Sequence, residues 1–175
     1  AFIKSIRGSD PNAAVYWLAR MIEGGEDVKF IARRMLILAS EDIGNANPTA
    51  LIFANNTFQA VSIIGHPESR IILSQCAVYL SNSAKSNASY LAIGKAQDLV
   101  RKTGDLSVPL SLRNAPSKLM KDLEYGKEYK YSHNYPKNFV AQEFMPDEIS
   151  GTKLYEPGEN QRENQFKEIL KNRWK

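Results

Sequence analysis

The sequence predicts an all-α protein built as a helical bundle, and three observations support this. Small polar residues precede a proline at Asp10-Pro11 and Asn47-Pro48, a pattern that caps the free amides at the start of a helix. Apolar residues then recur at helical spacing, as with Ala14, Leu18 and Met21. Glycines stand where several of these runs end.

Five helices are predicted between residues 11 and 104. Their expected limits are residues 11–23, 27–44, 48–65, 67–79 and 86–104. The short connections favour an antiparallel bundle. The regular spacing also allows a solenoid, although no residue signature repeats along the chain.

A change of character follows Gly104. Proline restriction favours an extended segment at residues 108–110, and a sixth helix is predicted over residues 116–126. Residues 127–158 lack a helical period but are rich in aromatic residues, so we expect an ordered irregular segment with one short hairpin. A last short helix is predicted at residues 161–171. These features divide the chain into a bundle at residues 1–126 and an extension packed on it at residues 127–175.

The bulk composition is ordinary for a globular chain of 175 residues, with 43% hydrophobic and 24% charged residues. The net charge of +4 tolerates an acidic partner without identifying one. No apolar run approaches the roughly 20 residues of a membrane helix, and no signal peptide is evident. The single cysteine, Cys76, is expected to be a buried small hydrophobe, which together with the missing leader favours the cytoplasm. The start without methionine suggests a fragment of a longer protein.

The chain offers few groups for catalysis. It lacks a P-loop, a dinucleotide-binding glycine motif, a nucleophile elbow and a zinc-protease histidine pair, so no catalytic, cofactor-binding or metal-binding residue is predicted. His66 is interpreted as a helix-boundary residue and His133 as a loop hydrogen-bonder. Glu41 and Asp42 are expected to form an ion pair with Arg33, Arg34 or another helix.

A segment of cations and tyrosines raises the question of nucleic-acid binding, since lysines can contact phosphates while aromatic rings stack on bases. The alternative is a solvated face whose tyrosines anchor the segment. The candidate DNA-binding residues are Lys118, Lys121, Lys127, Tyr129 and Lys130, with Tyr125, Tyr131, Tyr135 and Lys137 nearby.

Five strings of residues carry a resemblance to a known family. They are RGSDPNAAVYWLARM at 7–21, FIARRMLILASEDIG at 30–44, PLSLRNAPSKLMK at 109–121, YGKEYKYSHNYP at 125–136 and FMPDE at 144–148. In this order they resemble the C-terminal half of the replication-associated recombination protein A (MgsA) family of AAA+ ATPases, from Phe2 to about Pro157.

The resemblance implies a helical module like the clamp-loader collar, which follows the ATPase core and holds subunits in a homotetramer. It also implies a parent that is a DNA-dependent ATPase of stalled forks in replication, recombination and repair, near the nucleoid and single-strand DNA-binding protein. ATP and Mg²⁺ would bind in the ATPase domain outside this chain. The candidate interface anchors are Tyr16, Trp17, Phe53 and Phe58, each of which could instead belong to the core. The competing hypotheses are a DNA-binding module and a stand-alone enzyme.

Overall fold

The computed structural model describes residues 1–174 and confirms an all-α protein, with no strand among those residues. Its helices are α1 (Phe2–Arg7), α2 (Pro11–Glu23), α3 (Val28–Leu38), α4 (Thr49–Ile64), α5 (Ser69–Ser81), α6 (Ala88–Thr103), α7 (Lys118–Asp122) and α8 (Gln161–Arg173). Single 3₁₀ turns lie at Gly44–Ala46, Leu110–Leu112, Ser132–Asn134, Pro136–Asn138 and Asp147–Ile149.

Side-chain caps fix the starts of several helices. The Asp10 carboxylate accepts hydrogen bonds from the backbone N–H groups of Asn12 and Ala13 at 3.0 and 2.9 Å, and Pro11 occupies the first helical position. Asp27 accepts from the N–H of Lys29 at 3.0 Å in the same way at the start of α3. The starts at Asp10 and Asp27 were predictable because capping depends on residues close in sequence. The cap predicted at Asn47 was wrong: no side chain caps α4, and the Asn47 amide donates instead to Tyr79 Oη at 3.0 Å and Ser83 Oγ at 3.1 Å.

Other predictions of local structure were wrong. The hairpin expected within residues 127–158 is absent from the structure, which places turns there instead. Pro136 and Pro146 cannot donate to a strand ladder, and Lys137 and Asn138 have left-handed φ values of 58° and 52°. The sixth helix is only Lys118–Asp122 rather than residues 116–126. Helix α1, whose Phe2 and Ile6 are buried, was not predicted from the sequence.

The second predicted helix changes form before it ends. A regular α-helix stops at Leu38, and Ala39–Ile43 continue as a π-helical turn. Gly44 follows with φ +49°, and a Cβ at this position would lie 3.0 Å from the carbonyl oxygen of Ser86. A glycine is therefore required here both by the backbone conformation and by the close approach of the Ser86 loop.

The described chain forms two compact units, and we refer to them as unit 1 (Ala1–Gly94 with Tyr155–Lys167) and unit 2 (Lys95–Leu154 with Glu168–Lys175). In unit 1, α5 packs against α1, α2, α3 and α4, so these helices share one core instead of stacking as repeats. Its centre includes fully buried residues from five helices: Ile6, Leu18, Ile31, Met35, Leu38, Val61, Leu73 and Leu80. Cys76 is buried there as predicted, and burial raises the pKa of its thiol to about 11.

Unit 2 has a different internal organisation, because none of its described residues is fully buried. The Gln142 side chain bridges the backbone of Lys130, accepting from its N–H at 3.1 Å and donating to its carbonyl at 3.2 Å. The Arg113 guanidinium donates to the Val108 carbonyl at 2.7 Å and lies 5.0 Å from the Tyr125 ring centroid. Polar and aromatic contacts of this kind hold the turns of unit 2.

Candidate functional site: the uncharged face of helix α4

Helix α4 is exposed on one side and yet contains no charged residue among its 16 residues. Its buried stripe is narrow and consists of Ala50, Ala54, Thr57 and Val61. A helix that is hydrophobic on every side is normally buried, and charged residues are usual on the side of a helix that faces water. The outer side of α4 lacks the charged residues that are usual on a solvated helix face, which makes it a candidate interaction surface.

The outer side of α4 carries large aliphatic side chains. Ile63 is 85% exposed and Ile52 is 62% exposed, and their separation of 11 positions makes about three turns, which places both on the same face. Asn56 and Gln59 lie between them on that face, uncharged and exposed. We define the α4 surface as the exposed aliphatic side chains of Leu51, Ile52, Ile63 and Ile64.

Other helices of unit 1 expose apolar side chains as well. Phe30 and Ile37 on α3 and Ile71 and Val78 on α5 are each at least 39% exposed. A groove of about 490 Å³ also runs between α2 and α5, and it is lined mainly by Val15, Leu18, Ala19, Ile22 and Ile71, with Glu23 and Arg70 as its charged residues. Exposed apolar surface on this scale is typical of interaction sites.

The four aromatic residues predicted as interface anchors fall into two groups. Tyr16 is 62% exposed, and its ring meets that of Trp17 edge to face at 5.2 Å. Trp17, Phe53 and Phe58 are half-buried and pack against the core of unit 1. Their place in a subunit interface stays a prediction, with Tyr16 the one whose ring is available in the isolated chain.

The predicted ion pair at the end of α3 forms with another helix. Asp42 lies in the π-helical turn and accepts a hydrogen bond from Arg7 Nε at 2.6 Å, and Glu41 lies 3.6 Å from Arg7 Nη2. The hydrogen bond to Asp42 raises the pKa of Arg7. This contact ties α1 to the end of α3, and Arg33 and Arg34 take no part in it.

The candidate DNA-binding residues lie in unit 2, and all five of their side chains are exposed: Lys118, Lys121, Lys127, Tyr129 and Lys130. Helix α7 places Lys118 and Lys121 one turn apart. Lys127 pairs with Glu124 at 2.5 Å, which reduces the charge it offers to a phosphate. Unit 2 has 13 Lys and Arg against 9 Asp and Glu, and unit 1 has 10 of each, so the net charge of +4 belongs to unit 2.

Comparison with known proteins identifies the family. The family model described as "MgsA AAA+ ATPase C terminal" matches residues 8–174. The chain belongs to this family. The match extends past Pro157, where the resemblance seen in the sequence strings ended, so the MgsA C-terminal region includes α8.

Named relatives agree with the family model. The chain is 45% identical over 171 residues to Replication-associated recombination protein A of Coxiella burnetii, which is 97% of this chain and 39% of that protein. It is 44% identical over 158 residues to the protein of the same name in Escherichia coli K12, or 90% of this chain and 35% of that one. ATPase WRNIP1 of Dictyostelium discoideum is 44% identical over 157 residues, or 89% of this chain and 18% of that protein. The chain thus spans less than two fifths of these relatives.

A buried glutamate in this MgsA C-terminal chain escaped the sequence analysis. Glu163 of α8 is 0% exposed, and its carboxylate accepts hydrogen bonds from Tyr155 Oη at 3.1 Å and Asn160 Nδ2 at 2.5 Å. Burial raises the pKa of Glu163, but hydrogen bonds from Ser86, Asn160, the Gly158 backbone and Tyr155 outweigh it and lower the pKa below 4.5. A Cβ on Gly158 would lie 2.8 Å from the carboxylate, so glycine leaves it room.

A sequence signal for this contact exists. Asn160 and Glu163 are three residues apart at the start of α8, and the Glu163 N–H donates to Asn160 Oδ1 at 3.0 Å, which resembles a capping box. The other partners of the Glu163 carboxylate, Ser86 and Tyr155, are distant in sequence from one another. The family region between Pro157 and α8 is thereby tied to the loop before α6 within unit 1.

Two further observations describe what this family region contains. No group of three metal-ligating side chains occurs within residues 1–174. Over the same residues, no helix is both long enough and apolar enough to cross a bilayer.

Proposed function

We propose that this chain is the assembly region of an AAA+ ATPase and holds identical subunits in a homotetramer, with the α4 surface at a subunit contact. The observation that carries the proposal is the absence of charge in α4 combined with the 85% exposure of Ile63. Uncharged amides between the aliphatic residues can hydrogen-bond across an interface without the cost of burying a charge.

The energy of burial indicates how much surface the tetramer needs. Covering an aliphatic side chain of this size gains at most about 1.5–3 kcal/mol, so the four residues of the α4 surface supply at most about 6–12 kcal/mol per subunit. Association costs about 4–15 kcal/mol in lost freedom of motion. The interface must therefore bury apolar surface beyond the α4 surface. The proposed contributors are Tyr16 and the half-buried Trp17, Phe53 and Phe58.

Light scattering on the 175-residue chain tests the assembly. At tens of micromolar we expect a mass four times the 19.7 kDa of one chain. The double variant Ile52→Glu, Ile63→Glu places charges on the α4 surface and should yield monomers. Leu119→Glu is the matched control, because Leu119 is 68% exposed in unit 2. A monomeric parent chain, or a double variant that remains tetrameric, contradicts the proposal.

The names of the relatives support a proposal for the role of the whole protein. Two of those named above are called Replication-associated recombination proteins and a third is called an ATPase. The proposed parent therefore hydrolyses ATP with Mg²⁺ in a domain outside this chain and acts on DNA during replication, recombination and repair. Single-strand DNA-binding protein is a proposed partner, and the cytoplasm with its nucleoid is the proposed location.

A second candidate function, direct DNA binding by unit 2, is favoured by the location of the excess positive charge. Lys118, Lys121, Lys127 and Lys130 would contact phosphates, with Tyr129 as a stacking residue. Charge reversal at Lys118 and Lys121 should weaken DNA binding and reduce its salt dependence. Lys29→Glu, an exposed lysine of unit 1, is the matched control. Equal losses in the two variants would refute a specific role for α7.

A further inference from the structure

Unit 2 contains a small cavity that neither the assembly proposal nor the lysine segment uses. It has a volume of about 270 Å³ and is lined by Pro136, Lys137, Phe139, Ile169, Asn172 and Arg173. Binding sites for drug-sized ligands occupy about 300–1,000 Å³. A cavity just below this range suits one planar ring system.

One lining residue of this cavity, Phe139, belongs to a cluster of aromatic rings. Phe139 meets Trp174 edge to face, with ring centroids 5.5 Å apart and planes at 81°. Phe144 extends the cluster, its ring centroid lying 6.4 Å from that of Trp174. Trp174 is 51% exposed and Phe144 is 44% exposed, so aromatic surface stays open to solvent. Open rings of this kind are the platforms on which unpaired bases stack.

Positive charge accompanies the rings. The Arg173 guanidinium lies 5.6 Å from the Phe139 ring centroid, and Lys137 lines the cavity beside it. Lys137 and Asn138 both hold left-handed backbone conformations, at φ 58° and 52°. Strained non-glycine residues cluster at functional sites because the surrounding contacts must maintain them. The amide of Asn172 adds a group that can both donate to and accept from the edge of a base.

We propose that this cavity binds a single unstacked base of a single-stranded nucleic acid, with the adjoining phosphates against Arg173 and Lys137. Trp174 and Phe139 supply the stacking surface, and Asn172 meets the base edge. A duplex keeps its bases stacked inside and offers none to such a cavity. This site is distinct from the lysines of α7, and it is independent of the α4 surface, which belongs to unit 1.

Substitutions at Trp174 test whether stacking is responsible. Binding of a fluorescein-labelled oligothymidylate of about ten nucleotides is measured by anisotropy on the 175-residue chain. Trp174→Phe keeps an aromatic ring, whereas Trp174→Leu keeps only apolar bulk and Trp174→Ala removes both. We expect the Phe variant to bind almost as well as the parent chain, and the Leu and Ala variants to bind about 5- to 150-fold more weakly.

Substitution of Arg173 tests the phosphate contact. Arg173→Gln should lower the slope of log affinity against log salt by about 1. The matched control is Arg101→Gln on α6, which removes the same charge from unit 2 outside the cavity and should leave affinity nearly unchanged. In a Trp17→Phe background, oligothymidylate should also quench the fluorescence of Trp174, the single remaining tryptophan.

Several outcomes overturn the inference. The first is that Trp174→Leu and Trp174→Phe bind oligothymidylate with equal affinity, and the second is that the parent chain binds duplex DNA as tightly as oligothymidylate. The third is that the parent chain does not bind oligothymidylate at all. The fourth is that it binds an acidic peptide and does not bind oligothymidylate. Light scattering on the same samples separates this result from the assembly proposal, because cavity variants should keep the mass of the parent chain. Loss of DNA binding in the α7 lysine variants, with the cavity variants unaffected, would support the lysines and refute the cavity.

Discussion

Units 1 and 2 differ in where their stabilising contacts lie. Every fully buried residue of the described chain belongs to unit 1, whose helices share an aliphatic core. Unit 2 carries the net positive charge and four of the five non-glycine residues with left-handed φ: Glu124, Glu128, Lys137 and Asn138. Because burial of apolar surface is the main stabilising term in folding, unit 1 should dominate the stability of the chain. Unit 2 is then free to present strained, charged and aromatic residues to a ligand.

The largest expected effect is a difference in stability between the two units. It can be measured because each unit holds one tryptophan, Trp17 in unit 1 and Trp174 in unit 2. Trp17→Phe leaves Trp174 as the reporter of unit 2, and Trp174→Phe leaves Trp17 as the reporter of unit 1. In urea, the unit 2 signal should report a free energy of unfolding lower by about 5 kcal/mol, because local openings range from about zero up to the global value. Coincident unfolding curves would show one cooperative unit and break the comparison.

A pair of leucines sharpens the same contrast. Leu80 is 0% exposed in unit 1, and Leu119 is 68% exposed in unit 2. Leu80→Ala should lower the free energy of unfolding reported by Trp17 by about 2–5 kcal/mol, because it leaves a cavity in a packed core. Leu119→Ala should change stability by less than about 0.5 kcal/mol. Similar losses in the two variants would mean that unit 2 has a core of its own.

Glu163 tests the polar part of unit 1. Glu163→Ala leaves the buried hydroxyl of Ser86 and the half-buried donors of Tyr155 and Asn160 without their acceptor, and should cost about 1–3 kcal/mol in urea unfolding. Gly158→Ala should also destabilise the chain, since its Cβ would crowd the carboxylate. The control is Glu159→Ala, which removes an exposed glutamate just before α8 and should be nearly neutral. If Glu163→Ala and Glu159→Ala lower the free energy of unfolding equally, the buried carboxylate does not stabilise unit 1.

The pH dependence of Glu163 has a defined sign. Its pKa in the folded chain lies below the ordinary 4.5, so its contribution to stability is present above that pH. The contribution is lost as the pH falls through the folded pKa. Urea unfolding from pH 7 down to pH 3 should therefore show a smaller loss of stability in Glu163→Gln than in the parent chain below about pH 4.5. Parallel profiles would show that the buried carboxylate is not responsible.

Ion pairs provide the smallest expected contrast. Arg7 of unit 1 contacts Asp42, whose side chain is only 12% exposed, whereas Arg101 of unit 2 pairs with Asp98, which is 63% exposed. Arg7→Gln should cost about 1 kcal/mol and Arg101→Gln about 0–0.5 kcal/mol, because water screens exposed pairs. The two losses are compared by thermal unfolding at low and at high salt. If Arg101→Gln lowers stability more than Arg7→Gln does, the ion pair of unit 2 is the more stabilising of the two.

The sequence predicted several features that depend on neighbouring residues and missed others that depend on distant ones. Caps at Asp10 and Asp27 are local, and the apolar spacing of α2 to α5 predicted helices in those places. The π-helical turn at Ala39–Ile43 contacts Arg7, and the Glu163 carboxylate accepts hydrogen bonds from Ser86 and Tyr155, so both features involve residues from other parts of the chain. The hairpin prediction failed because aromatic residues in unit 2 suggested strands while its prolines and left-handed residues prevent them.

The candidate sites likewise combine features that the sequence shows with features that only the structure shows. Aromatic residues on helices suggested Trp17, Phe53 and Phe58 as interface anchors, but sequence alone could not show that they pack against the core. The absence of charge in α4 was visible in the sequence, but only the structure shows that Ile52 and Ile63 of this helix are exposed. The cavity beside Phe139 joins residues about 30 positions apart, so no local motif could have revealed it.

The uncharged outer side of α4 also bears on the fate of surplus chains in a cell. With the α4 surface at the proposed subunit contact, a subunit without partners would display the kind of aliphatic stretch that chaperones and quality-control proteases bind. Copies made in excess of what can assemble would be removed selectively. The abundance of the protein would then follow the number of completed complexes more closely than the rate of synthesis.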